Sequence, residues 1–235
     1  MGGVPFGGTV PKQVLIRAIG PSLANFGLSD SLQDPTVSLF HGSTQIAAND
    51  DWQSASNFGQ IPASLQPTDP RESAILITLQ PDAYTAIVAG KDATTCVGLV
   101  EVYDLNPSDS SQLINISTRG VVQTGDNVMI AGVIVQSGTE NVLVRALGPT
   151  LASFRISNPL ANPTLELHDA NGAVIAANDN WKNTQQAQII ATGKAPPDDL
   201  ESAIVRALGP GNYTAIVRGV NNSTGVALVE VYALQ

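Results

Sequence analysis

The sequence predicts an all-β protein made of two tandem antiparallel β-sandwiches, jelly-roll-like and related by internal duplication. Two observations carry this expectation: the chain repeats itself collinearly at a domain-sized offset, and its apolar residues fall in short runs bounded by turn formers. Val14–Leu23 (VLIRAIGPSL) returns as Val142–Leu151 (VLVRALGPTL), an offset of 128 residues. Ile46–Trp52 (IAANDDW) returns as Ile175–Trp181 (IAANDNW), Glu72–Ile75 as Glu201–Ile204, Tyr84–Val88 as Tyr213–Val217, and Leu99–Tyr103 as Leu228–Tyr232, all at 129. One inserted residue accounts for the change, and the two copies are expected to superpose.

The strand assignments follow in order along copy two. Asn127–Gln136 (NVMIAGVIVQ) is a long β-rich run, and Val142–Leu147, Thr164–His168, Ala203–Leu208, Tyr213–Val217 and Val226–Tyr232 are shorter ones, each closed by Gly, Pro, Asn or Asp. LVEVY does not alternate cleanly, so it is expected to be covered on both faces or central in its sheet. Only Asn183–Ala191 and, more weakly, Ser54–Gln60 offer short helices. The polar stretch Asn106–Gln112 (NPSDSSQ) has linker composition, which divides the chain into residues 1–107 and 108–235.

Run backward, the offset sets Met1 opposite Met129 and leaves copy one with no counterpart of Leu113–Val128. Either Met1 is an internal methionine of a longer array, or the N-terminal strands of copy one are supplied in trans. Leu113–Gln136 is a second source if it pairs across to copy one.

Composition excludes several classes. Eleven Lys and Arg stand against twenty Asp and Glu, a net charge of −9 that repels nucleic acid and anionic lipid. No apolar run approaches the roughly 20 residues of a membrane span. The first residues lack the basic and apolar regions of an export signal, so any such signal is expected upstream. There is no GxSxG, HExxH, phosphate-binding glycine loop or cysteine cluster, and no enzyme is expected. His41 and His168 are not equivalent between copies. The single cysteine, Cys96, aligns with Gly225 and reads as a buried, inert side chain.

Three sets of residues remain as candidates. The turn Asn49, Asp50, Asp51 (Asn178, Asp179, Asn180 in copy two), with Asp69 and Glu72 (Asp198 and Glu201) downstream, holds the hard oxygen ligands that structural Ca²⁺ takes; Asn and Asp also dominate turns without any metal. Trp52 and Trp181 are core anchors if buried and sugar-stacking platforms if exposed. Arg17, Arg145 and Arg206 open three copies of an R-A-(I/L)-G-P turn, where Pro stops the ladder, and are expected to fork onto carboxylates such as Glu72, Glu101 or their copies.

Taken together, RAIGPSL/RALGPTL, NDNW, ESAI, YTAIV and VALVEVY resemble a repeat of large secreted bacterial proteins, over nearly the whole chain. Leu79–Gly90 and Leu208–Gly219 are more loosely similar to the bacterial pre-peptidase C-terminal domain, a small β-sandwich attached to secreted enzymes and adhesins. These resemblances imply an extracellular or cell-surface bacterial location and a non-catalytic role. Two roles stand: a structural subunit of a filament or adhesin stalk, self-associating head to tail or with other surface proteins by strand complementation, or a polysaccharide-binding accessory module of a secreted enzyme.

Overall fold

A computed structural model describes residues 1–106 and 112–234. The chain forms two compact units, Met1–Ile114 and Asn115–Gln235. Residues 107–111 of the expected linker lie outside the described residues. The division falls beyond residue 107 because the short strand at Gln112–Leu113 pairs with Gly7 and Phe6 of the first unit.

The second unit holds eight strands among the described residues. Its strands are β9 (Asn115–Val122), β10 (Met129–Val135), β11 (Glu140–Leu147), β12 (Pro163–His168), β13 (Val174–Asn178), β14 (Ser202–Leu208), β15 (Gly211–Gly219) and β16 (Gly225–Leu234). One sheet runs β14-β11-β16-β9 and the other β10-β15-β12-β13, antiparallel throughout. Val142 and Val144 from the first meet Leu165, Leu167, Ala215 and Val217 from the second, all nearly inaccessible, which makes a β-sandwich. A second, smaller core lies outside the β14-β11 face, where Leu143 meets Trp181, Ile189 and Ala203. With both faces covered, Val142, Leu143 and Val144 are buried in succession, which is why this segment reads as a continuous apolar run.

The first unit repeats this plan with β1 (Gly2–Gly7), β2 (Lys12–Ile19), β3 (Pro35–His41), β4 (Thr44–Asn49), β5 (Ser73–Leu79), β6 (Ala83–Gly90), β7 (Leu99–Asp104) and the two-residue β8 (Gln112–Leu113). The order β1-β6-β3-β4 matches β10-β15-β12-β13, and the three-stranded sheet β5-β2-β7 matches β14-β11-β16. Copy one is thus not missing all its N-terminal strands: β1 is present, and only the counterpart of β9 is absent among the described residues. The register also corrects the alignment by one residue. Val4 lies opposite Tyr84 as Val133 lies opposite Tyr213, an offset of 129, so Gly2 corresponds to Ala131 and the compensating residue sits in the turn at 8–11. There Gly8 takes a φ of 120°, which favours glycine.

The position of LVEVY differs between the copies. In the second unit β16 is central, between β11 and β9; in the first, β7 has β2 on one side only among the described residues. Of the helices expected, Gln186–Ala191 is an α-helix, whereas the counterpart resolves into 3-10 turns at Trp52–Ser54, Phe58–Gln60 and Ala63–Leu65. Pro62 precedes the last of these turns and Gly59 lies within the middle one, both poor in a helix interior. No helix among the described residues is long and apolar enough to cross a membrane.

Candidate functional site

The residues repeated most faithfully meet at one place in each unit and hold the fold. After β11 the chain stops at Gly148-Pro149 and enters a 3-10 helix, Pro149–Phe154. A Cβ on Gly148 would stand 2.1 Å from the carbonyl oxygen of Leu160, and one on Gly20 would stand 1.9 Å from that of Leu32, so close backbone approach demands glycine in both copies. The buried Glu201 lies over this turn. Its Oε1 accepts the N–H groups of Gly148 and Thr150 at 3.0 Å each, and its Oε2 accepts the Thr150 hydroxyl at 2.9 Å. Its backbone carbonyl accepts the Trp181 N–H at 2.8 Å. Glu72 repeats the arrangement on Gly20 and Ser22, at 3.2 and 3.0 Å, and accepts the Trp52 N–H at 2.8 Å.

The following serine and the asparagine of the acidic turn complete the knot. Ser202 donates to the Asp179 carbonyl at 2.7 Å, and the Asn178 Oδ1 accepts the Ala203 N–H at 3.0 Å; Ser73 and Asn49 do the same in copy one at 2.7 and 2.8 Å. Three separated motifs therefore interlock as a support for the sandwich. Glu72 and Glu201, offered above as calcium ligands, spend their oxygens on backbone amides and hydroxyls. Asp69 is held by Arg71, which keeps its carboxyl below the usual carboxylate range, and Asp198 accepts the Leu200 N–H at 2.9 Å.

The motif arginines divide. Arg17 forks onto Glu101 on the neighbouring β7, its Nε at 2.9 Å, and also donates to the Leu65 carbonyl and the Tyr103 hydroxyl. Arg145 donates its Nε to Glu230 at 2.5 Å and its other nitrogens to the Lys194 carbonyl and the Tyr232 hydroxyl. Arg206 has no such role: it lies exposed on β14. In both networks the Tyr hydroxyl donates to the Glu at 2.8 Å. Burial first, then the Glu230 charge, push the Tyr232 hydroxyl up to about 12. The folded state thus favours the neutral phenol, and its contribution is full below the unfolded value near 10 and lost as pH rises toward 12. The urea midpoint of the second unit is expected to fall across this window, and to fall less in Tyr232→Phe.

Trp52 and Trp181 are 6% and 5% exposed, which leaves no ring face for a sugar. Trp181 donates its indole N–H to the Asp198 carbonyl at 3.0 Å, whereas the buried Trp52 Nε1 has no hydrogen-bond partner. Cys96 is exposed, contrary to expectation, with its thiol donating to Asp30 at 3.2 Å; that bond raises the thiol's pKa and disfavours the thiolate. His41 and His168 each face a carboxylate, Asp82 at 2.9 Å and Glu166 at 3.1 Å.

Among the described residues one group of three carboxylates gathers, joining Asp50 and Asp51 to a residue outside the set read in sequence. Asp50 and Asp51 gather with Asp34, their oxygens all within 4.8 Å of one another. Lys91 already enters the group, its Nζ 2.7 Å from Asp50 and 3.6 Å from Asp34. In copy two the corresponding residues are Asn162, Asp179, Asn180 and Val220, so two of the three carboxylates and the lysine are lost together. That joint change marks Lys91 as the counter-charge. Chelation is expected to leave the melting temperature of the native chain unchanged, and Lys91→Ala is expected to make it rise with added Ca²⁺. A native chain that melts lower in chelator would instead place an ion among the three carboxylates.

One feature escaped the sequence reading: Phe26 and Phe154, equivalent at an offset of 128, are 85% and 69% exposed at the ends of their 3-10 helices, and the offset alone would have paired them. The edge left by the strand expected to be missing from copy one is the outer side of β7. There Val100 is half-buried and Leu99 is 41% exposed, whereas Val229, the equivalent of Val100, is 1% exposed beside β9.

No protein-family profile matches the chain, and no curated protein is similar to it. Among solved structures, the pre-peptidase C-terminal domain of a collagenase from Bacillus anthracis is similar over 50% of this chain and 89% of that one, at 17% identity and a TM-score of 0.33. It is a domain of the kind that Leu79–Gly90 and Leu208–Gly219 resemble. The STIV MCP is similar over 98% of this chain and 93% of its own, at 12% identity and a TM-score of 0.29. The VP2 subviral particle of infectious bursal disease virus covers 98% of this chain and 58% of its own, at 6% identity and 0.22.

Proposed function

We propose that this chain is a non-catalytic structural module of an extracellular assembly, a stretch of a bacterial surface fibre or adhesin stalk built from tandem β-sandwiches. The observation that carries this reading is the fate of the repeated polar residues. Glu72, Ser73, Arg17 and Glu101, and their copies Glu201, Ser202, Arg145 and Glu230, are engaged inside their own unit in stabilising bonds. Sequence identity between the copies is spent on rigidity, the property on which a load-bearing array depends. The burial of both tryptophans removes the feature on which the polysaccharide-binding alternative rested.

Self-association is the partner this role requires, and contacts between identical units that do not close produce filaments. Sedimentation velocity and negative-stain imaging over a rising concentration series test it. End-to-end particles that lengthen with concentration are expected. A chain that stays monomeric throughout, and binds a polysaccharide saturably, would overturn the reading.

A further inference from the structure

The second unit serves as an internal control for the first. Both place β5 or β14 at one edge of the sheet that carries LVEVY, and both leave that edge unpaired among the described residues. At the opposite edge the copies diverge: β16 is paired along Gly225–Tyr232 by β9, and β7 has no neighbour there among the described residues. Residues of a strand present their N–H and C=O alternately to the two sides. Val97 bonds the loop beside β2, donating to the Asp30 carbonyl at 3.1 Å and accepting the Leu32 N–H at 2.7 Å, and Leu99, Glu101 and Tyr103 follow it in phase. Gly98, Val100 and Val102 therefore present their backbone groups outward, as Ala227, Val229 and Val231 present theirs to β9. Val226 confirms the phase, since it bonds the Asn158 carbonyl and the Leu160 N–H on the side away from β9.

This edge also lacks the devices that close an edge to pairing. Leu99–Asp104 (LVEVYD) contains no Pro or Lys. Val100 and Val102 pack on the core of the first unit yet stay half-buried, whereas Val229 and Ala227 are sealed.

We propose that the outer edge of β7 is a strand-acceptor site for an extended segment of another molecule with the chemistry of Asn115–Val122. The segment lies antiparallel, in the register that β9 keeps on β16. That register sets an Ile116-type residue opposite Val102, a Thr118-type residue opposite Val100, an Arg119-type residue opposite Leu99 and a Gly120-type residue opposite Gly98. The donor must alternate, with its Ile, Thr, Gly and Val positions turned to the core and its polar positions outward. This deepens the structural reading above and rests on it, because the donor of one module then links it to the next.

The test uses the full native chain and a synthetic peptide of residues 114–123. Saturable binding by fluorescence anisotropy is expected, and it is expected to vanish for the Thr118→Pro peptide, whose Pro lacks the N–H aimed at Val100. Register is read by cross-linking. In a Cys96→Ser, Leu99→Cys chain, an Arg119→Cys peptide should form a disulfide under mild oxidant at least about tenfold faster than Ser117→Cys or Val121→Cys peptides, since a slip of two residues carries the sulfurs out of bonding range. No binding of the native peptide, or equal cross-linking of all three, overturns the proposal. Filaments that form although the native peptide does not bind would overturn the strand acceptor while leaving the structural role standing.

Discussion

Glu201→Ala is expected to destabilise the second unit by about 3 kcal/mol or more, a fall in melting temperature on the order of 10 °C, with little effect on the first. The carboxylate is fully buried and accepts two backbone N–H groups at 3.0 Å and a hydroxyl at 2.9 Å. Truncation leaves the Gly148 N–H buried without an acceptor and opens a cavity beneath the 3-10 helix. Glu201→Gln keeps one oxygen acceptor and is expected to lose less. Each unit carries one tryptophan, so urea unfolding followed by fluorescence in a Trp52→Phe background reports the second unit alone. A loss below about 1 kcal/mol for Glu201→Ala would mean that the turn is held by its glycine and proline instead.

Trp181→Ala is expected to cost about 3–5 kcal/mol, the range for removing a large buried aromatic. The ring closes the small core made with Leu143, Ile189 and Ala203, and its indole N–H ties it to the Asp198 carbonyl as its backbone N–H ties it to that of Glu201. The two copies allow the packing and hydrogen-bond parts to be separated. Trp181→Phe removes a bonded donor, whereas Trp52→Phe removes one that has no partner. The former is therefore expected to cost about 1 kcal/mol more than the latter, measured by urea unfolding of the whole chain followed by far-ultraviolet circular dichroism. Equal losses would show that packing alone decides both.

The division of the fold into two like halves was legible because each half must solve the same packing problem with the same residues. Arg17 and Arg145 were readable as carboxylate partners, since a guanidinium at the end of an apolar strand must meet a charge. Arg206 has the same motif but lies exposed on the edge strand β14, and edge position is a property of topology that a local string does not encode. The partners that the acidic turn meets in the fold were not legible for a related reason. Glu72 lies 52 residues from Gly20, with β3 and β4 between them, and only the folded chain shows that its oxygens are needed by backbone amides. Asp34 and Lys91 enter the cluster from two other loops. Cys96 reads as a buried, inert small side chain from its alignment with Gly225; Gly225 is buried beside β9, whereas the same position before β7 is exposed. The one-residue change in the register of β1 was hidden because its neighbours, Gly2, Gly3 and Pro5, match nothing distinctive in β10.

Residue-resolved hydrogen exchange along the two LVEVY strands tests the central claim most directly. The account predicts an alternating pattern in the first unit: the amides of Leu99, Glu101 and Tyr103, which face β2, are protected, while those of Gly98, Val100 and Val102 exchange rapidly. In the second unit Ala227, Val229 and Val231, which face β9, are protected together with Leu228, Glu230 and Tyr232. Uniform protection along Gly98–Tyr103 in the isolated chain would contradict the account, because it would mean that the edge proposed to join one module to the next is already closed.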